Sequence, residues 1–108
     1  MSEAGSDLSI TVSKEGGETV VALAGDLDVY TSARLRERLV DLIHDARPRL
    51  VVDLAQLVFV DSTGLGTLVA AFQRVRRAGG EMVLRSPTPA TRRVVEISGL
   101  GDVLAIRD

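Results

Sequence analysis

The chain has no cysteine, one histidine and three prolines, and its aromatics are limited to Tyr30, Phe59 and Phe72. Without cysteine there is no disulfide, no thiol nucleophile and no thiolate metal site. A fold of 108 residues must therefore rest on an ordinary core, and that length suffices for one domain. No apolar run is long enough to span a membrane, and the N-terminus lacks a signal-peptide pattern. A cytoplasmic location suits such a composition. Thirteen basic and fifteen acidic residues leave a net charge of −2. With so few aromatics, that balance argues against a nucleic-acid partner. What is present, 45% hydrophobic and 26% charged residues without an internal repeat, describes a globular chain.

Residues 1–7 are small and polar and read as a loose tail ahead of a single domain over 8–108. Leu8, Ile10 and Val12 alternate with Ser9, Thr11 and Ser13, as in a half-exposed strand. Glu15-Gly16-Gly17-Glu18 turns the chain, and the apolar run Thr19 to Ala24 makes a hairpin with the first strand. Gly25 to Tyr30 reads as a loop carrying Asp26 and Asp28. Thr31 or Ser32 can cap a helix with Leu35, Leu39, Leu42, Ile43 and Ala46 on its apolar side, Asp45 lying elsewhere. After Pro48 comes a strand, Leu50 to Leu54. A helix over Ser62 to Arg77 follows, with Leu65, Leu68, Val69, Phe72 and Val75 at helical spacing and Arg74, Arg76 and Arg77 in its last turns.

Gly79-Gly80 ends that helix, and Glu81 to Arg85 is the next strand. Thr88-Pro89 opens a short helix with Val94, Val95 and Ile97 on its apolar side, stopped at Gly99. Val103 to Ile106 is the last strand. Strands separated by single helices imply right-handed crossovers and a mostly parallel sheet. The expected class is α/β: a mixed sheet with an N-terminal hairpin and helices packed around it.

The strand-to-helix passage Val58 to Gly66 holds the densest polar cluster, Asp61-Ser62-Thr63. Unpaired N–H groups and the positive end of the helix dipole gather there, so a hydroxyl is either a cap or a place to hold an anion. Two hydroxyls beside a carboxylate exceed what one cap requires. Gly64 and Gly66 weaken the first turn by roughly 1 kcal/mol each relative to Ala. They also keep the surface around Ser62 low.

Enzyme chemistries fit poorly. A nucleophile elbow needs Gly-x-Ser-x-Gly, and Val60 occupies the first glycine position. His44, the only histidine, falls on the polar side of the first helix. Two residues separate Asp61 from Gly64, unlike the Asp-Thr/Ser-Gly of an aspartic protease. Gly64-Leu65-Gly66 lacks the third glycine of a dinucleotide site, and there is neither a P-loop nor a metal-ligand cluster.

Asp61-Ser62-Thr63-Gly64-Leu65-Gly66 resembles the phosphorylation motif of STAS domains, specifically the bacterial anti-sigma factor antagonists. Gly25-Asp26-Leu27-Asp28 is similar to the family's Gly-x-Leu-Asp. Gly79-Gly80-Glu81-Met82-Val83-Leu84 and Ile97-Ser98-Gly99-Leu100 resemble its later strand and the end of its last helix. These matches run in order over nearly all of the chain beyond Asp7. The resemblance implies a STAS-type mixed sheet and a switch protein that is not an enzyme and needs no cofactor. The unphosphorylated form would bind an anti-sigma factor that is itself a serine kinase, and so free a sigma factor. Phosphorylation at Ser62 would end that binding, and a PP2C-type serine phosphatase would restore it.

The resemblance also implies a partner-binding set of Asp26, Asp28, Asp61, Ser62, Thr63, Gly64 and Leu65. Thr63 is the alternative phosphoacceptor, or else a cap or brace for the helix. Asp61 is given a structural role. Asp28 is either a functional carboxylate in the partner's footprint or a cap for the helix after Thr31. As a surface group it is expected to be replaceable without loss of the fold. Asp26 is the more exposed of the pair and stands where the family often has Glu. The rival reading is a STAS subunit docked permanently on a transporter ATPase through the same loop and helix.

Overall fold

The computed structural model describes residues 7–44 and 46–108. The elements are β1 (Leu8–Glu15), β2 (Glu18–Leu27), α1 (Ser32–Leu42), β3 (Arg49–Val60), α2 (Ser62–Arg77), β4 (Glu81–Arg85), α3 (Pro89–Ile97) and β5 (Ile106–Arg107). All five strands form one sheet in the order β1-β2-β3-β4-β5. β1 is antiparallel to β2 and the remaining neighbours are parallel. The hairpin turn has Gly16 and Gly17 at φ 54 and 86, so both central residues are left-handed, as a two-residue hairpin loop demands.

Each parallel strand is added on the same side of the previous one, so right-handed crossovers put α1, α2 and α3 on one face. Burial agrees with that placement. Val21 and Leu23 of β2, Leu50, Val52 and Leu54 of β3, and Met82 and Leu84 of β4 share one apolar cluster with side chains of all three helices. Those helical members include Leu35 and Leu39, then Leu65, Leu68 and Val75, then Val95. Val20 and Val51 alternate to the opposite face, outside that cluster, yet are buried. Ion pairs cross that face. Arg85 reaches Asp53 at 2.8 Å and Glu15 at 3.3 Å, while Glu18 meets Arg107 at 3.5 Å and Arg49 at 3.8 Å.

The α2 and β4 boundaries match the sequence expectation, and other elements correct it. β2 continues through Gly25 and Asp26 to Leu27, so much of the expected loop is strand. β3 runs six residues past Leu54. Its partner there is β2, since β4 pairs with it only as far as Asp53↔Arg85. Two register shifts, at Ala22/Ala24 and Gly25/Asp26, put extra residues into β3 and break its alternation.

Ala46 is exposed beyond the end of α1, Ile97 is 78% exposed, and Val103 lies in a turn ahead of a two-residue β5. Asp45 and six of the seven residues of the expected tail lie outside the described residues. Asp7 is held, its carbonyl accepting from the Asp26 N–H at 2.8 Å.

Burial pushes the Asp53 carboxyl up, but the Ala55 N–H and the Arg85 guanidinium outweigh it and hold the group below its ordinary value. A depressed carboxylate contributes stability that is complete above its unfolded pKa, near 3.9, and is lost as pH falls through the folded value. Urea titrations at about pH 7, 5 and 3 should show Arg85→Ala losing less stability on acidification than the wild type. Equal losses in the two proteins would contradict this.

Candidate functional site

The site is built where β3 hands over to α2. Asp61 continues the strand pairing for one step, its N–H donating to the Leu27 carbonyl at 3.2 Å. It is extended, at φ −107 and ψ −176, and occupies the N-cap of α2. Its Oδ1 accepts from the Gly64 N–H at 2.9 Å, and its Oδ2 accepts from the Val29 N–H at 3.1 Å. One carboxylate thus satisfies an orphan helix donor and ties the loop after β2 to the helix start. A negative charge there also suits the helix dipole.

With the cap filled by Asp61, the two hydroxyls are left over. Ser62 and Thr63 are exposed at the first two helical positions. Among the described residues neither hydroxyl is engaged in a hydrogen bond. The Thr63 carbonyl accepts from Thr67 Oγ1 at 3.2 Å, so Thr63 braces the helix through its backbone alone.

Gly64 and Leu65, both in the expected partner-binding set, are buried. A Cβ on Gly64 would lie 2.6 Å from the Leu27 carbonyl oxygen and 2.7 Å from Leu27 Cγ. The glycine is there because helix and strand meet at that point, not to keep the surface low. Leu65 is 2% exposed and belongs to the core. The third and fourth residues of this helix turn toward the sheet. Gly66 is open, and a Cβ added there would meet nothing within 4 Å.

Asp28 is also more deeply placed than a surface carboxylate, being 7% exposed. Its Oδ1 accepts from the N–H groups of Tyr30 at 2.9 Å and Thr31 at 3.1 Å. The Thr31 hydroxyl accepts from the Asp28 N–H at 3.0 Å and donates to the Asp26 carbonyl at 2.8 Å. Thr31 sits at the N-cap of α1 but its side chain makes no cap bond. The Asp28 carboxylate therefore shapes the turn into α1. Asp26 is half-buried, opposite Phe59 across the β2–β3 ladder.

The turn built by Asp28 presents Val29 and Tyr30 to solvent, Tyr30 at 72% exposure. Phe59, at 51%, and Val58 are exposed at the end of β3. Sequence reasoning misses these four. The available signal is that two of only three aromatics flank the two carboxylate motifs. Arg74, Arg76 and Arg77 are exposed at the far end of α2, where Arg76 lies 5.7 Å from the Phe72 ring centre. His44 is exposed just beyond α1. Among the described residues there is no cluster of acidic and histidine side chains able to hold a metal, and no helix long and apolar enough to cross a membrane.

A family model described as "Mlab, STAS domain" matches residues 10–106. The chain belongs to the STAS domain family. This STAS chain is 33% identical over 100 residues to the anti-sigma-B factor antagonist of Bacillus subtilis (strain 168), covering 93% of the chain and 91% of that protein. It is 31% identical to the anti-sigma F factor antagonist of Paenibacillus polymyxa, with 94% and 88% covered. The crystal structure of an anti-sigma factor antagonist from Mycobacterium paratuberculosis superposes with a TM-score of 0.85 at 27% identity, over 99% of this chain and 90% of that one. The mixed five-stranded sheet with three helices is the fold of these STAS neighbours.

The two glycines of the STAS motif should respond oppositely to alanine. Gly64→Ala forces a methyl into the Leu27 backbone, and overpacking of this kind costs about 1–3 kcal/mol. Gly66→Ala adds a methyl in open space and should gain up to about 1 kcal/mol of helix propensity. Thermal melts of both would check this, and equal shifts would contradict the packing argument. Asp28→Ala removes the carboxylate oxygen that accepts from the Tyr30 and Thr31 N–H groups and should cost about 0.5–1.5 kcal/mol in a urea titration.

Proposed function

We propose that this chain is an anti-sigma factor antagonist whose partner binding is switched by phosphate at Ser62. The observation that carries the proposal is the division of labour at the start of α2. Asp61 does the capping, and the Ser62 hydroxyl stands exposed beside it with no structural task. The relatives of similar length named anti-sigma-B and anti-sigma F factor antagonists support the same reading.

In this scheme the unphosphorylated form binds an anti-sigma factor that is also a serine kinase, and a sigma factor is released. The kinase supplies ATP and the catalytic base. The Ser62 oxygen takes the γ-phosphoryl group, ADP leaves, and the hydroxyl proton passes to that base. A PP2C-type phosphatase returns the chain to its binding form. The chain catalyses nothing itself, and acts in the cytoplasm without nucleic acid or membrane.

Magnitudes choose how the phosphate acts. It adds about −1.5 to −2 charges at neutral pH. The helix dipole favours that charge by roughly 0.3–1 kcal/mol, and the neighbouring Asp61 carboxylate opposes it. These terms are small beside a domain stability of about 5–15 kcal/mol, so the phosphorylated chain keeps its fold. At an interface the same charge must be desolvated, at a cost of several kcal/mol unless it is paired. A cost of roughly 3 kcal/mol already means a hundredfold loss of affinity.

Incubation with the cognate kinase and ATP should add a single phosphate, at Ser62 by peptide mass spectrometry. Ser62→Asp should melt like the wild type yet bind the kinase about a hundredfold more weakly by calorimetric titration, and Ser62→Ala should bind and resist switching. Phosphate on Thr63 alone would move the assignment. A membrane ATPase co-purifying in place of a soluble kinase would replace this reading with that of a transporter subunit.

A further inference from the structure

We propose that Tyr30 and Phe59 are the apolar anchors by which the kinase acting on Ser62 grips this chain. The inference rests on the reading of Ser62 as phosphoacceptor and adds how the partner is held. The chain has only three aromatics, and Phe72 packs against the core. The other two are placed outward, at 72% and 51% exposure. Scattered exposed apolar residues are ordinary, but both remaining aromatics gathered at one end of the fold are not.

Neither side chain is outward through looseness of its backbone. The Tyr30 N–H is held by Asp28 Oδ1 at 2.9 Å, and that of its neighbour Val29 by Asp61 Oδ2 at 3.1 Å. Phe59 is paired with Asp26 in the ladder. The register shift beside it breaks the in-out alternation, so that Val58 and Phe59 are exposed in succession. That stretch lies beyond the end of β4. A shallow apolar depression runs from Phe59 to Ala90 and Val94 of α3.

Chain geometry puts both aromatics inside any footprint centred on Ser62. Three Cα steps separate Phe59 from Ser62, which bounds their distance at about 11 Å. Tyr30 is one residue from Val29, which is bonded to the Asp61 preceding Ser62. A stable partner covers about 800 Å² of one face, a patch of roughly 16 Å radius. A footprint of that size centred on the Ser62 hydroxyl is wide enough to take in both rings. Rigidly held aromatics in such a position are the usual carriers of binding energy. The matching surface is an apolar pocket beside the kinase's phosphoryl-transfer site.

The probe is a serine kinase purified through its ATP-dependent phosphorylation of the wild-type chain. Tyr30→Ala and Phe59→Ala should each weaken its binding about 10- to 100-fold in calorimetric titration. Both should raise KM for phosphorylation while leaving kcat at saturation unchanged, with phosphate still at Ser62. Ile97→Ala, equally exposed but on the far end of α3, should match the wild type. If Phe59→Ala melts early, Phe59→Thr keeps strand propensity and takes its place. Binding of both aromatic variants within twofold of wild type, with Ser62 phosphorylated as usual, would overturn the anchors and leave the phosphoacceptor standing. A wild-type chain that gains no phosphate at Ser62 would overturn both. A dimer of the chain alone in sedimentation equilibrium, dissolved by Tyr30→Ala, would assign the rings to a second copy and also overturn the proposal.

Discussion

The approach of Gly64 to the Leu27 carbonyl oxygen leaves no space for a side chain between α2 and the end of β2. That contact sets where the helix begins relative to the sheet. Asp61 then has the Gly64 N–H and the Val29 N–H within reach of its two oxygens. A bulkier residue at 64 would push the helix away from Leu27 and break the span that one carboxylate bridges. The outward stance of Ser62 depends on the same contact. With its third and fourth residues turned to the sheet, the helix leaves its first two facing solvent.

The acidic residues around this junction divide by depth. Asp28 through Oδ1 and Asp61 through both oxygens accept from backbone donors, and each holds one side of the loop that carries Val29 and Tyr30. Asp26 and the hydroxyls of Ser62 and Thr63 face outward or nearly so. The proposed phosphorylation of Ser62 would therefore dismantle no bond on which the fold relies. The opposite face of the sheet, closed by Arg85, Glu18 and their ion pairs, takes no part in the site. Stability and the proposed switching thus draw on different residues.

Much of this is readable in the chain itself, and the failures have physical causes. The bounds of α2 are legible because Asp61 before a 3.6-residue apolar repeat and glycines after Arg77 mark both ends. β4 is legible between Gly80 and Ser86. β3 is not, because its bulges disturb the period on which a strand is read, and Val58 and Phe59 look like core in a linear string. Gly64 is expected to keep the surface low because a motif written as consecutive residues hides the turn that carries its later members inward. Asp28 misleads for a related reason. A carboxylate accepting several backbone N–H groups is indistinguishable in sequence from one that faces a partner. The exposed pair of aromatics needs the sheet, since only pairing of Asp26 with Phe59 brings the two motifs to one end.

The central claim is that Asp61 caps α2 and the Ser62 hydroxyl carries no structural load. Thermal and urea unfolding of Asp61→Ala, Ser62→Ala and Thr63→Ala, compared under one set of conditions, tests it directly. Loss of the cap should cost Asp61→Ala about 0.5–2 kcal/mol or more, given its second bond to Val29. The two hydroxyl variants should stay within about 0.5 kcal/mol of the wild type. A Ser62→Ala loss as large as that of Asp61→Ala would show the hydroxyl to be part of the cap and would contradict the account.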